Sequence, residues 1–163
     1  MRDTIRVVSL HDRKENGALA FDVKDILVCL GDSINDWKWY LREELDATGV
    51  PGTTETKDLH ESMDRTKPHG IWISTASLRS FAENTLQVID GTFVAFPVNR
   101  DEQTLADEDK DTRYFATNAM ECVIRAFDSS EFIVFLKRES LVKRIVQRFN
   151  DVREEEKESF FRR

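Results

Sequence analysis

The side chains that could act as nucleophiles are few and lie far apart in the sequence. The two cysteines, Cys29 and Cys122, lie in the apolar runs 26–30 and 120–124. Free cysteine in such a setting usually behaves as a small buried hydrophobe. Activation of a thiol requires a base held beside it, and no motif supplies one. We therefore expect inert thiols and predict no catalytic residue, with a thiol–histidine pair assembled by the fold as the alternative.

One polar stretch combines histidine with a carboxylate, at His60, Asp64 and His69. His60 and Asp64 would share a face if the stretch were helical, because residues four apart lie on the same side of a helix. A zinc site requires three or four preorganised ligands, and the stretch holds no tight cluster of histidine or cysteine. We expect exposed polar side chains here, and we predict neither a metal ion nor any other cofactor.

The glycine spacing argues against a nucleotide-binding loop. A phosphate cradle needs closely spaced glycines so that backbone amides can approach the ligand. None of the six glycines forms a Gly-x-Gly pattern, and no Gly-x-Ser-x-Gly elbow is present. The enzymatic alternative is therefore a small hydrolase or transferase with an unrecognised site, around Cys29, His60 or His69.

Charge constrains the class of partner more strongly. The chain carries 31 acidic and 24 basic residues, a formal net charge of -7. Nucleic-acid binders concentrate Lys and Arg on one face, so this balance argues against that role and favours a partner with a basic surface. The simpler explanation is that such a charge keeps a small protein soluble. The acidic residues of the polar loop 97–113 are Asp101, Glu102, Asp107, Glu108, Asp109 and Asp111.

Three large aromatic residues, Trp37, Trp39 and Tyr40, follow one another closely in the sequence. We expect that they cannot all point into one core, so that at least one is exposed or lines a groove. Tryptophan and tyrosine dominate binding hot spots because they bury a large area at little entropic cost. A ring packed over a sheet edge is the structural alternative. Together with the acidic residues of the loop 97–113, these rings are the predicted partner-binding surface.

Local patterns predict an α+β protein with a mostly antiparallel sheet of five to six strands and two or three helices packed on one face. Runs of neighbouring strands, rather than regular strand–helix alternation, favour this class. The run 131–136 is almost continuously apolar, which is typical of a central strand buried on both faces. Strands are predicted over 5–10, 18–23, 71–73, 87–89, 92–96, 114–127 and 131–136, and helices over 74–86 and 140–149.

The segment 36–48 fits two structures. Its apolar spacing favours a helix capped by Asp36. The alternation of Trp37, Trp39 and Leu41 would equally suit a strand. We take helix as the prediction and strand as the alternative.

Three other segments complete the organisation of the chain. Asp90-Gly91 lies between two β-prone runs and predicts a hairpin turn, the alternative being a helix that ends there. Residues 51–70 are polar and predict a long connection. We expect one α+β domain over residues 1–150, followed over 151–163 by a charged tail or an extension of the last helix.

The expected function follows from general character, since no family motif is present. The amino terminus lacks the apolar core of a signal peptide, and no apolar stretch approaches the about 20 residues that span a bilayer. We therefore expect a cytoplasmic location without membrane contact. The leading hypothesis is a small acidic protein-binding module, of the type of a bacterial immunity protein that masks the active site of a basic toxin. A ligand-sensing or homo-oligomeric domain is a further alternative to the enzyme.

Overall fold

The computed structural model describes residues 5–41, 45–67, 70–100 and 120–156. Within these ranges the chain forms eight strands, four α-helices and one 3-10 helix. The strands are β1 (Arg6–Leu10), β2 (Trp37–Leu41), β3 (Asp46–Gly49), β4 (Ile71–Ser74), β5 (Thr85–Pro97), β6 (Cys122–Phe127), β7 (Glu131–Leu136) and β8 (Val152–Glu155). The α-helices are α1 (Val23–Leu30), α2 (Glu55–Thr66), α3 (Thr75–Glu83) and α4 (Glu139–Arg148), and the 3-10 helix is Gly31–Asp36.

The eight strands belong to one sheet with the order β4-β2-β5-β6-β7-β1-β8, and β3 pairs with β5 beside this path. All of these pairings are antiparallel. The long strand β5 pairs with β3 through its first half and with β2 through its second half. The predicted α+β class and antiparallel sheet are confirmed. The predicted numbers are wrong, because the described residues alone form eight strands and four α-helices.

All four α-helices contribute to one hydrophobic cluster on a single face of the sheet. Ile26 of α1, Met63 of α2, Leu78 of α3 and Ile145 of α4 are buried in this cluster. Alternate residues of the central strands point to the other face, because successive side chains of a strand point in opposite directions. That face holds a second cluster, whose buried members are Val7, Tyr40, Val94, Phe96, Met120, Val123, Ile133 and Phe135.

Strand β7 confirms the prediction of a central strand buried on both faces. Phe132 and Val134 belong to the cluster beneath the helices, whereas Ile133 and Phe135 belong to the cluster on the opposite face. Residues 132–136 are all buried. A strand in this position needs apolar side chains at every residue, which is why its sequence shows no alternation.

The helix predicted over 36–48 is wrong, because the described residues of this segment hold the end of the 3-10 helix, β2 and the start of β3. Trp37 and Trp39 pack under the helices, whereas Tyr40 packs in the cluster on the opposite face. A strand with apolar residues on both faces mimics helical spacing over a short window. The stated alternative, a strand with Trp37, Trp39 and Leu41 on one side, is confirmed.

The hairpin predicted at Asp90-Gly91 is also wrong. Both residues lie inside β5, which continues without interruption from Thr85 to Pro97. The helical alternative fails as well, since α3 ends at Glu83. Asp90 instead accepts a hydrogen bond at Oδ1 from the amide of Asp128, at 2.9 Å. Its side chain therefore supports the turn that follows β6.

One turn and one helix start are defined by local geometry. The turn at residues 128–130 has positive φ at Asp128, 46°, and at Ser129, 57°. Ser74 caps α3, because its Oγ accepts a hydrogen bond from the amide of Ser77 at 3.1 Å. The helix predicted over 140–149 is α4, which begins one residue earlier, at Glu139.

Three further segments differ from their predictions. The strand predicted over 18–23 is wrong, because Leu19 forms only an isolated bridge with Arg13 and Val23 begins α1. The polar stretch expected as a connection over 51–70 contains α2. Residues 152–155 of the expected tail or helix extension form β8, which pairs with β1. Among the helices of the described ranges, none combines the length and apolarity needed to cross a bilayer.

Candidate functional site

The predicted aromatic contact surface lies in the interior. Trp37, Trp39 and Tyr40 expose 2%, 0% and 8% of their surface. The expectation that at least one of these rings is exposed is therefore wrong. The physical reason is that β2 lies inside the sheet between β4 and β5, with a hydrophobic cluster on each face. Their predicted role in binding a partner loses the premise on which it was based.

The acidic half of the predicted surface lies outside the described residues. This applies to all six of its members, Asp101, Glu102, Asp107, Glu108, Asp109 and Asp111. Their predicted contact with a basic partner stays a prediction.

Of the three candidate metal ligands, the structure describes two. His60 and Asp64 lie one turn apart on α2, whereas His69 is outside the described residues. The described ranges contain no group of three or more histidine, cysteine or carboxylate side chains placed to hold a metal ion. Both thiols are held in the protonated form, because burial raises the pKa of Cys29 and of Cys122.

The surface around α1 carries the strongest binding features of the described residues. Lys24 and Val28 lie one turn apart on its outer side, and Val28 is 76% exposed. Beside them, α1 and α3 enclose a groove of about 270 Å³. Its lining combines the apolar side chains of Leu27, Val28 and Ala82 with the charged side chains of Lys24, Asp32, Arg79 and Glu83.

A second groove, of about 350 Å³, lies between the start of α1 and the start of β5. Leu86 lines it and is 59% exposed, although most leucines of the described residues are buried. Lys24 lines both grooves, so they are neighbours on either side of this residue. We call the two grooves together the α1 trough. The lining of the second groove is formed by Lys14, Ala18, Leu19, Ala20, Phe21, Asp22, Lys24, Asp25, Thr85, Leu86, Gln87 and Val88.

Both ends of α1 are fixed by specific hydrogen bonds. At its start, Asp22 and Asp25 form a capping box: the amide of Val23 donates to Asp22 Oδ1 at 2.8 Å, and the amide of Asp22 donates to Asp25 Oδ2 at 2.8 Å. At its end, Arg144 Nη1 donates to the carbonyl oxygen of Leu30 at 2.9 Å. The wall of the α1 trough is therefore preformed.

The arginine of the first groove is engaged within the chain. Arg79 donates from Nη1 to Asn35 Oδ1 at 2.6 Å and from Nη2 to the carbonyl oxygen of Gly31 at 3.1 Å. Gly31 has a φ of 66°, in the left-handed region that favours glycine, and its amide caps α1 at Leu27. Asp32 and Glu83 are exposed on the same rim.

Asp22 is the most perturbed carboxylate of the trough. Burial raises its pKa to about 6, and hydrogen bonds from the amides of Val23 and Val88 oppose this shift only in part. The bond from Val88 to Asp22 Oδ2 measures 3.0 Å and ties α1 to β5. The carboxylate thus stabilises the architecture of the trough and bears a desolvation cost in its ionised form.

A serine–histidine pair lies elsewhere, on β1 and the residue after it. His11 Nε2 is 2.8 Å from Ser9 Oγ, and Ser9 Oγ donates its hydrogen to Glu155 Oε1 at 2.8 Å. The serine hydroxyl therefore donates its hydrogen bond to a carboxylate and not to the imidazole. Glu131 Oε2 approaches the same Nε2 atom at 3.4 Å, whereas an orienting carboxylate in a catalytic triad binds the other ring nitrogen. Ser9 is also fully buried, so this arrangement does not present a nucleophile.

Sequence reasoning missed the α1 trough because it treated 26–30 only as an apolar run and predicted no helix there. The capping-box pattern of Asp22 and Asp25 was a readable signal for a helix start. A helix beginning at Val23 places Val28 on the side opposite Ile26 and Leu30, and hence on the surface.

The comparisons with known proteins identify no relative of this chain. Searches with protein-family models, among curated proteins and among solved structures give no significant match to this chain.

Proposed function

We propose that this chain is a protein-binding module that receives its partner at the α1 trough. The carrying observation is that each of the two grooves holds an exposed apolar side chain, Val28 in the first and Leu86 in the second, among charged side chains. Protein interfaces have this anatomy, with apolar anchors seated in pockets and a polar rim around them. The expected class is an inhibitor of the immunity type, which covers a basic surface on its target.

The preformed wall of the trough supports this role. A binding surface that is already ordered loses less conformational entropy when a partner docks. Because α1 is capped by Asp22 and held at its end by Arg144, its outer side chains are presented on a fixed helix. A partner would therefore meet the same geometry before and after binding.

Charge supports a basic partner. Asp32 and Glu83 are exposed on the rim of the first groove. Of the two cationic side chains in its lining, Arg79 is already bound to Gly31 and Asn35, whereas Lys24 is exposed. The formal net charge of -7 adds a long-range attraction for a cationic protein. We therefore place the partner's Lys or Arg side chains against this rim.

Replacement of Val28 by serine tests the proposal. We expect the affinity for a basic partner, isolated from the native source by affinity capture, to fall by about tenfold, because an apolar anchor is lost from the centre of the interface. The affinity is measured by titration calorimetry with the captured protein. Val146→Ser is the matched control, since Val146 is 51% exposed on α4 and does not line the trough.

Two results would contradict the proposed site. One is equal affinity of the Val28→Ser and Val146→Ser variants. The other is failure of the wild-type chain to retain any basic protein at low ionic strength, about 0.05 M, where electrostatic attraction is least screened.

A further inference from the structure

The two strands at the ends of the order β4-β2-β5-β6-β7-β1-β8 differ in their side chains. At one end lies β8, in which Arg153, Glu154 and Glu155 follow Val152. Charged residues on an edge strand hinder its pairing with a strand from another molecule. At the other end lies β4, whose sequence Ile-Trp-Ile-Ser contains no charged residue. The protection that is present at β8 is therefore missing at β4.

Strand β4 has an open side. It pairs with β2, and within the described ranges no strand pairs with its other side. Its first three residues, Ile71, Trp72 and Ile73, are each partly exposed. A strand edge of this kind presents amide and carbonyl groups that can pair with a further strand.

The pairing of the neighbouring strands shows which residue of β4 directs its backbone groups outward. The amide of Val98 donates to the carbonyl oxygen of Asp36 at 2.9 Å, so the backbone groups of Asp36 face the side of β5. Successive residues of a strand direct these groups to opposite sides, and those of Trp39 therefore face β4, where Trp39 is opposite Ile73. Trp72, next to Ile73, must then direct its amide and carbonyl away from β2.

The side chain of Trp72 lies on the face of the sheet opposite the helices. Its ring centre is 4.9 Å from that of Tyr40 and 5.6 Å from that of Phe96. The ammonium nitrogen of Lys38 lies 5.1 Å from the same ring centre. The residue with outward backbone groups thus also presents a partly exposed aromatic ring, which its neighbours hold in place.

We infer that the outer edge of β4 pairs antiparallel with β4 of a second copy of this chain, with Trp72 at the two-fold axis. An antiparallel pair of identical strands is symmetric, so one edge supplies the donors and the acceptors of both copies. Each Trp72 donates its amide to the carbonyl of the other, and the two rings lie side by side on one face. The inference does not depend on the α1 trough, since no residue of β4 lines it.

The association should be weak and should strengthen with salt. Each copy contributes the four residues of one strand, so we expect a Kd of about 0.1–1 mM. Each copy also carries a formal net charge of -7, and the two copies repel one another until salt screens this repulsion. A basic partner held at the α1 trough by electrostatic attraction would show the opposite salt dependence.

Sedimentation equilibrium tests the inference on the whole chain. Between about 0.02 mM and about 1 mM, the mean mass of the wild type should rise from that of one chain toward that of two. In Trp72→Lys two ammonium groups would face each other across the axis, and we expect the Kd to rise by about tenfold or more. Val146→Lys is the matched control, because it exchanges an exposed apolar residue of α4 for lysine and should leave the Kd unchanged.

Hydrogen exchange of single amides, read by NMR spectroscopy on the wild type, needs no variant. As the concentration rises over the same range, the protection of the Trp72 amide should increase by about threefold or more. The Ile73 amide, which faces Trp39 within the chain, should not change. A wild type that remains a single chain at about 1 mM would overturn the inference. Association that survives unchanged in Trp72→Lys, or that leaves the Trp72 amide unprotected, would overturn it as well.

Discussion

Replacement of Trp39 by alanine should lower the free energy of unfolding by about 3–5 kcal/mol. The Trp39 side chain is fully buried at the centre of the cluster beneath the helices. Truncation removes its apolar contacts and leaves a cavity that the surrounding elements fill only in part. The edge-on contact with Trp37, whose ring centre lies 5.9 Å away, is lost at the same time.

The indole also anchors a buried polar network. Trp39 Nε1 donates to Thr75 Oγ1 at 2.9 Å. The Thr75 hydroxyl can donate to either of two carbonyl oxygens. Its Oγ1 lies 2.8 Å from the oxygen of Ile34 and 2.9 Å from the oxygen of Trp37. One hydroxyl thus joins β2, the 3-10 helix and the start of α3. Because buried polar groups are costly when unpaired, loss of the indole donor adds to the cost of the cavity.

Urea unfolding of three variants checks this prediction. Trp39→Phe keeps most of the apolar volume and loses the N–H donor. We therefore expect it to lower the free energy of unfolding by about 1–3 kcal/mol. Val146→Ala, at an exposed position of α4, should change the stability by less than about 0.5 kcal/mol. A cost below about 1 kcal/mol for Trp39→Ala would show that the ring is not part of the core.

The contrast between β7 and β2 explains how much of the fold the sequence predicts. The nearly continuous apolar run of β7 predicted a strand buried on both faces, and the structure confirms it. Strand β2 has aromatic residues on both faces, at 37, 39 and 40. Over five residues, this spacing of apolar side chains cannot be distinguished from that of a helix. Pairing with β4 and β5, which lie 30 or more residues away in the sequence, decides between them. Local patterns do not contain this information.

The candidate site depends even more on distant parts of the chain. The α1 trough is formed where α1 meets the end of α3 and the start of β5, more than 50 residues further along. The helix itself was readable from its capping box, and the exposure of Val28 would have followed from it. The groove beside Val28 was not readable, because it results from the packing of α1 against α3. The same non-local packing buries the rings that the sequence offered as a contact surface.

The stability of the chain should depend on the ionisation of Asp22, a residue of the α1 trough. Its pKa is raised from 3.8 to about 6 in the folded chain, with burial as the main cause. A raised folded-state pKa means that protonation of this group stabilises the fold. The contribution is complete below pH 3.8 and is lost as the pH rises through 6. The difference between the two pKa values corresponds to about 3 kcal/mol.

Comparison with Asp22→Asn isolates this contribution. Asparagine keeps one acceptor for the Val23 or the Val88 amide, and the hydrogen bond that it loses carries no pH dependence of this kind. We expect the stability of the wild type relative to Asp22→Asn to decrease by about 3 kcal/mol between about pH 4 and about pH 7, measured by urea unfolding. Stability curves that run parallel for the two proteins would contradict the assigned shift, as would a carboxyl resonance of Asp22 that titrates near 3.8. At neutral pH the chain therefore carries a desolvated carboxylate in the depression that we propose as its binding surface, in keeping with the general exchange of stability for function at such sites.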